Sequence, residues 1–527
     1  MNKIIVLLTG AWAGLAWSAA DVSGQATASE PELLARYHFA GSAQLTRDAN
    51  AGTLSKALTL PASAPLRECL ASQLSQVARR WHRKTTGLAL PPVEVLQPMV
   101  ADLFQAESVY EIWGRSSQAS EILLAAQLDD SRAQRWSTNL WQYLEKNLNG
   151  QAVPLTGANG WEFKPAGGGS VVRFATVGNW RILGYGTEPL NGFPKAMRQT
   201  KETGRPAALE AGAWLAARVD FPRLGNLHWP RWTGFSGPLP AVELTLGSKT
   251  DYVRTRMVLN FPETLKWQLD TWRIPTNTIR DPLVSFTALQ GVGPWLNSWP
   301  LLKPLEVETM PNQIYVWAQE EGPFQTYLAA PAPKVTNALE KLGEKLPALL
   351  QARLTQHRWG EVKHLTNKTE LVWSGLPILA PFLCCAPEPA GNWMLGGIFP
   401  AALNTNPPPV ELLAQFADRN NLLFYDWEIT QSRLEQTRLI IQVADLIFSP
   451  PKLDEEANPT NMVGHTWLKA VSPMLGNTVT EITVTSPKQL TLVRKSHIGF
   501  NALELVLLTR WLDGQLAPAS PKPAGKP

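Results

Sequence analysis

Two serines in this chain stand where a hydrolase could keep its nucleophile. Ser170 follows the glycine run Gly167 to Gly169, and Ser285 lies in the dense stretch DPLVSFTALQGVGPWLNSWP, Asp281 to Pro300. A nucleophilic serine must sit exposed on a sharp turn with a histidine in reach. Neither serine occupies a G-x-S-x-G pattern, and the glycine run leads into strand-like residues as a hairpin turn would. The candidate metal ligands are His38, His82, His228, His357, His364, His465 and His497. None has the i, i+4 or Cys/His spacing that sets two ligands on one helix face. Asp129-Asp130 reads as a helix start, and Glu306 with Glu308 as one face of a strand, so no carboxylate pair suggests glycosidic cleavage. In Gly291-Val292-Gly293 the next residue is Pro294, which lacks the N–H that a phosphate cradle needs. The sequence therefore assigns no catalytic residue, no metal and no cofactor.

Three cysteines, Cys69, Cys384 and Cys385, are too few for a disulfide scaffold in 527 residues. The adjacent pair reads first as small apolar strand residues, with a bridge to Cys69 or a vicinal redox site as alternatives. The N-terminus MNKIIVLLTGAWAGLAWSAA has a cationic flank at Lys3, an apolar run and small residues at Ser18 to Ala20, the pattern of a cleaved secretory signal. The run is shorter than the roughly 20 residues that span a bilayer. No later segment is long and apolar enough, so a protein without a transmembrane segment after cleavage is expected: periplasmic, envelope-associated or secreted. A formal charge of +4 gives no reason to expect a polyanionic partner, and export argues against nucleic acid.

The elements that would position any site come from comparing the two halves of the chain. YEIWGRSSQASEILLAAQ, from Tyr110, lies over IYVWAQEEGPFQTYLAAP, from Ile314, without a gap and pairs Trp113 with Trp317. Gly178-Asn179-Trp180 matches Gly391-Asn392-Trp393, and Trp214 lies as far past Trp180 as Trp427 past Trp393. The fold class expected is α+β: an internally duplicated unit of mainly antiparallel sheet with packed helices, preceded by a helical module and followed by a small α+β cap. The expected divisions are a signal peptide at 1–20, a linker at 21–30, a helical module at 31–104, repeat unit 1 at 105–262, a connector at 263–311, repeat unit 2 at 312–450, a cap at 451–513 and a Pro-rich disordered tail at 514–527. VRTRMVLNF and RLIIQVADLIF read as strands, and Leu283, Phe286 and Leu289 as the buried face of a short helix in the connector. There Asp281 and Ser285 would be capping or turn groups that could touch a ligand, and Trp295 and Trp299 the anchors. Among 22 tryptophans, Trp229 and Trp232 in HWPRWTGFSGP are the best candidates for exposure.

The stretches YHFAGSAQLTRDANAGTLSKALTLP, IPTNTIRDPLVSFTALQGVGPWL and LGNTVTEITVTSPKQLTLVRKS resemble recurrent segments of a family of functionally uncharacterised exported bacterial proteins. The resemblance implies export and an envelope context, and brings no activity or site. The reading is a non-catalytic envelope or periplasmic binding or assembly protein that uses the cleft between its two units. Its partner is open: an envelope protein, an apolar ligand or a glycan. The alternatives are a glycan-binding protein with exposed Trp platforms and a hydrolase without a recognisable motif.

Overall fold

The computed structural model describes residues 32–515 apart from 87–91, 116–117, 148–149, 167–168, 225–237, 299–309, 321–324, 358–359, 366–369, 377, 389–390, 400–405, 417 and 449–461. Trp229, Trp232 and Trp299 lie outside the described residues, as do the expected signal and tail.

Strand β1 (Glu32–Phe39) is the first element of the described residues, where the sequence suggested helices. Helices α1 (Ser42–Leu45), α2 (Gly52–Thr59), α3 (Ser63–Thr86) and α4 (Val93–Gln105) follow, then the hairpin β2 (Ser108–Arg115) and β3 (Gln118–Gln127). Helix α5 (Asp130–Asn147) leads to β4 (Gly150–Pro154), β5 (Asn159–Pro165), β6 (Ser170–Val177) and β7 (Trp180–Thr187). After α6 (Gly192–Thr203) come β8 (Ala213–Asp220), α7 (Phe221–Leu224), β9 (Ala241–Lys249) and β10 (Tyr252–Asn260). The second half runs β11 (Leu283–Gln290), α8 (Gly293–Ser298), β12 (Gln313–Gln319), β13 (Thr326–Pro331), α9 (Val335–His357), β14 (Glu361–Leu365), β15 (Glu370–Ser374), β16 (Phe382–Glu388) and β17 (Gly391–Gly397). It ends with α10 (Val410–Ala414), β18 (Leu422–Ile429), α11 (Thr430–Phe448), α12 (Val463–Val471), β19 (Asn477–Ser486), β20 (Gln489–Ser496) and α13 (Ala502–Leu512).

The pairings are antiparallel and give the first ten strands the order β4-β5-β6-β7-β3-β2-β1-β8-β9-β10. The next ten follow β14-β15-β16-β17-β13-β12-β11-β18-β19-β20, which is the same order with ten added to each number. The halves meet where β10 pairs with β20, from Val253 opposite Ser496 to Asn260 opposite Gln489. This α+β sheet is continuous across the seam, so the halves are joined strand to strand and not across a cleft. The tryptophan matches follow the ladders less well than the strand order does. Trp180 opposes Gln127 and Trp393 opposes Pro331, as the gap-free alignment requires. Trp113, by contrast, opposes Glu121 while Trp317 opposes Tyr327, a shift of two residues that keeps the face.

Three expectations are corrected. Leu283, Phe286 and Leu289 lie in strand β11, where Val284 and Ser285 are buried as well; a strand covered on both faces buries consecutive residues, and the spacing of three was incidental. RLIIQVADLIF belongs to helix α11, whose buried Leu434 and Thr437 and core-packed Ile441 follow helical spacing. The C-terminal helix, strand, strand, helix order is present, but β19 and β20 are members of the main sheet, and the helices pack on the N-terminal ones. Ala57, Trp467, Leu468, Leu505 and Val506 share one core cluster, and Trp467 Nε1 donates to Ser63 Oγ at 2.9 Å. The two expected terminal modules thus form one helical layer.

Between β10 and β11, residues 262–282 run as an extended strap over the second half. Buried carboxamides hold its backbone. Gln290 Oε1 accepts from Asp270 N at 3.2 Å, and Gln313 accepts from Arg273 N at 3.0 Å while donating to Thr271 O at 2.9 Å. Gln319 donates to Arg280 O at 3.1 Å. Trp272 inserts edge-on against Tyr315 and Phe416, in the second half's aromatic core. The strap is bound as a peptide would be, through main-chain bonds with the buried Trp272 as an aromatic anchor and Trp267 packed beside Gly291.

Candidate binding cleft

A cleft of about 510 Å³ opens at one end of the first half's strands, between α1, the last turn of α4, the start of α5 and residues 205–214. Its volume falls in the roughly 300–1,000 Å³ range of ligand sites. Gly41 brings α1 against the end of α4. Its φ of 87° is left-handed, and a Cβ there would stand 2.6 Å from Ala106 C and Gln105 O. Gly41→Ala is expected to cost about 2 kcal/mol from backbone strain and this contact; a denaturation midpoint equal to that of the parent protein would refute the assignment.

On the floor Glu107 accepts from, or pairs with, the buried His38, whose Nε2 lies 2.9 Å from Glu107 Oε1. Arg205 Nε stands 3.7 Å from the same oxygen. On one wall Trp214 Nε1 donates to Asp48 Oδ2 at 2.8 Å, and Asp48 Oδ1 also caps the short turn at Asn50. On the other, Asp129 caps α5 through Arg132 N and pairs with the Arg132 guanidinium at 3.1 Å. The hydrogen bond from Arg132 N, followed by that from Ser131, holds the Asp129 carboxyl below its ordinary range. Behind it buried Asp102 accepts from Arg135 at 2.9 Å and Trp136 at 2.9 Å, which fixes α5. The described lining thus offers carboxylates, arginines and carboxamides. It includes no Ser, Thr, Cys, Lys or Tyr. Such a site can bind through directed hydrogen bonds, and its described lining carries no hydroxyl, thiol or amine nucleophile.

The residues singled out from sequence do not gather there. Ser285 is buried in β11 opposite Ala318 and Glu428, so it is not the exposed serine that a hydrolase needs. Asp281 is half-buried; its N–H donates to Pro407 O at 3.2 Å and its carbonyl accepts from Asn406 at 3.0 Å, which makes it a backbone fastener of the strap. Trp295, on α8, is 52% exposed. Trp113, Trp136, Trp161, Trp180, Trp214, Trp272, Trp317, Trp393 and Trp467 are buried, as packing positions are. All three cysteines are free, and burial pushes the Cys384 thiol up to about 11 and raises that of Cys385. Thiols held protonated are poor redox groups. Sequence reading missed Glu107, Arg205 and Trp214 as a set, although His38 was among the histidines weighed.

A second polar cluster, Asp426, Glu428 and Arg433, lies under α11 and α13 in the second half, with Glu428 only 5% exposed. Glu428 Oε1 accepts from Ala502 N at the start of α13 at 2.8 Å. Its bonds go to the scaffold.

No family model matches this chain, and no curated protein matches it. Two solved structures do, titled crystal form IV and crystal form III of TP0453. They are 11% and 12% identical with TM-scores of 0.24 and 0.21, over 44% of this chain and 77% and 76% of theirs. Likeness at that level carries no weight for fold or function. Among the described residues no helix is long and apolar enough to cross a membrane.

Proposed function

We propose that this chain is an exported, non-catalytic binding or assembly protein of the bacterial envelope or periplasm, and that the first-half cleft is where it meets its partner. The carrying observation is the cleft's composition: convergent donors and acceptors around Glu107, Arg205 and Trp214, without a hydroxyl, thiol or amine among the described lining side chains. The leader-like N-terminus supports export, and the matching strand orders support origin by duplication of a ten-strand unit. On this reading the first copy keeps its end open for a partner, and the second copy closes the same end with the strap.

A photo-crosslinking residue placed at Gln44 or Glu210, both exposed in the cleft, tests the reading in cells that export the protein. One defined partner is expected from these positions and not from Val410, which is 69% exposed elsewhere. The recovered chain should begin at Asp21. Equal labelling from all three positions, or a protein retained in the cytoplasm with its leader, would defeat the proposal.

A further inference from the structure

The two halves treat the same place differently, and the difference bears on what the first-half cleft can hold. Phe39 of β1 lies between Ser108 of β2 and Leu215 of β8. Leu289 of β11 lies between Ile314 of β12 and Phe424 of β18, the same place in the repeated strand order. One residue further toward this end stand Ala40, Glu107 and Trp214 in the first half, and Gln290, Gln313 and Leu423 in the second. The first three line the open cleft. In the second half, Gln290 and Gln313 grip the strap at Asp270, Thr271 and Arg273, beside the buried Trp272.

Resting on the binding-cleft reading above, we infer that the first-half cleft binds an extended polypeptide segment of a partner, with an aromatic side chain as its anchor. Glu107 takes the place of Gln313, so it can accept a main-chain N–H as Gln313 does from Arg273. A carboxylate cannot donate in return, so the donation that Gln313 makes to Thr271 O falls to Arg205 beside Glu107. Main-chain bonds supply affinity in this kind of recognition, and the anchor supplies selectivity.

The chain's own N-terminal residues are the competing occupant. The strap enters β11 through Asp281-Pro282, and Glu30-Pro31 stands likewise before β1. Trp272 is 11 residues before Leu283 (283 − 272), and the residue 11 before Glu32 is Asp21 (32 − 11). The stretch DVSGQATASEP, 21–31, contains no aromatic residue, so it has no anchor of its own to place there.

The probe is a fluorescent peptide of strap residues 266–281, whose own groove is already filled within the chain. Saturable binding to the mature protein is expected. Glu107→Gln, which installs the carboxamide of the second half, should tighten it about 5-fold. Ala43→Trp and Ala211→Trp, at exposed lining positions, should each weaken it at least 10-fold without changing the melting temperature, and so should replacing Trp272 by Ala in the peptide. Three results would overturn the inference: no saturable binding to either the parent or Glu107→Gln, binding unaffected by the cleft-filling tryptophans, or binding only after residues 21–31 are deleted. If crosslinks from Gln44 and Glu210 still capture one partner while the peptide fails, the extended-segment inference falls and the binding cleft stands. If both fail, both fall.

Discussion

Replacing Glu121 with alanine is expected to destabilise the first half by about 4 kcal/mol, because three buried backbone donors would lose their acceptor at once. Glu121 lies on β3 and is 2% exposed. Its oxygens accept from the N–H groups of Asn191, Gly192 and Phe193 at 2.6, 2.7 and 2.6 Å, the first turn of α6. Those donors have no intrahelical partner, and the helix dipole adds to the attraction for a negative group. Burial raises the Glu121 carboxyl above its ordinary value, and the three hydrogen bonds oppose that rise. The far end of α6 delivers the cleft. Gly204 terminates the helix with φ 78° and accepts from Trp180 Nε1 at 3.0 Å, and Arg205 follows it directly. Loss of Glu121 should therefore loosen the Arg205 wall as well as the helix. Amide exchange across residues 192–203 should accelerate while strand β10 keeps its protection. Glu121→Gln, which leaves one acceptor, should lose about half as much. An alanine variant within 1 kcal/mol of the parent would remove the cap from this account.

The fold class was legible because hairpins announce themselves locally. VRTRMVLNF, in β10, alternates so that Val253, Thr255 and Met257 turn inward while Arg254 and Arg256 are exposed, and the helix, strand, strand, helix order of the last segment reads directly. What the sequence concealed is non-local. RLIIQVADLIF has enough β-branched and apolar residues to pass for a strand, and only its packing on Trp467 and Leu505 decides for a helix. The strap has no period at all, since side chains such as Gln290, Gln313, Gln319, Asn312 and Glu388 bond its backbone in place of a strand ladder. Seen along the chain, those glutamines are ordinary polar residues. The cleft was hidden for the same reason. Ala40, Glu107 and Trp214 meet because β1 lies between β2 and β8, and no local pattern encodes that neighbourhood. The stretch from Asp281 to Pro300 drew attention through its composition, yet Ser285 is buried in a strand and Asp281 fastens the strap by its backbone.

Stability should fall as the pH rises from about 4.5 to about 7, and Glu428 is the reason. Burial pushes this carboxyl up to about 7 from an ordinary value of 4.5, and neighbouring Asp426, itself raised by burial, adds to the effect. The groups that act on it are Asp426 on β18, Ala502 N at the start of α13, and Thr430 and Arg433 on α11, while Thr287 on β11, Arg494 on β20 and Glu504 on α13 act on the neighbouring Asp426. Their attractions are largely used elsewhere. Arg494 is tied to Glu504 at 2.6 Å, and Arg433 bonds Gln436 at 3.2 Å while burial lowers its own pKa. In the unfolded chain Glu428 releases its proton above about 4.5, whereas the folded chain keeps it until about 7. Between those values the folded state holds the extra proton, so raising the pH favours unfolding, and above about 7 the loss is complete. A difference of this size corresponds to about 3 kcal/mol. Glu428→Gln keeps an oxygen to accept from Ala502 N and cannot ionise. It should match the parent near pH 5, melt several degrees higher at pH 8, and flatten the pH profile between them. The same gap between variant and parent at both pH values would place the pH dependence elsewhere. Because Ala502 begins the helix that packs against α3 and α12, ionisation of Glu428 acts on the layer that joins the N- and C-terminal helices, so heating at pH 8 should release that layer before the first-half sheet.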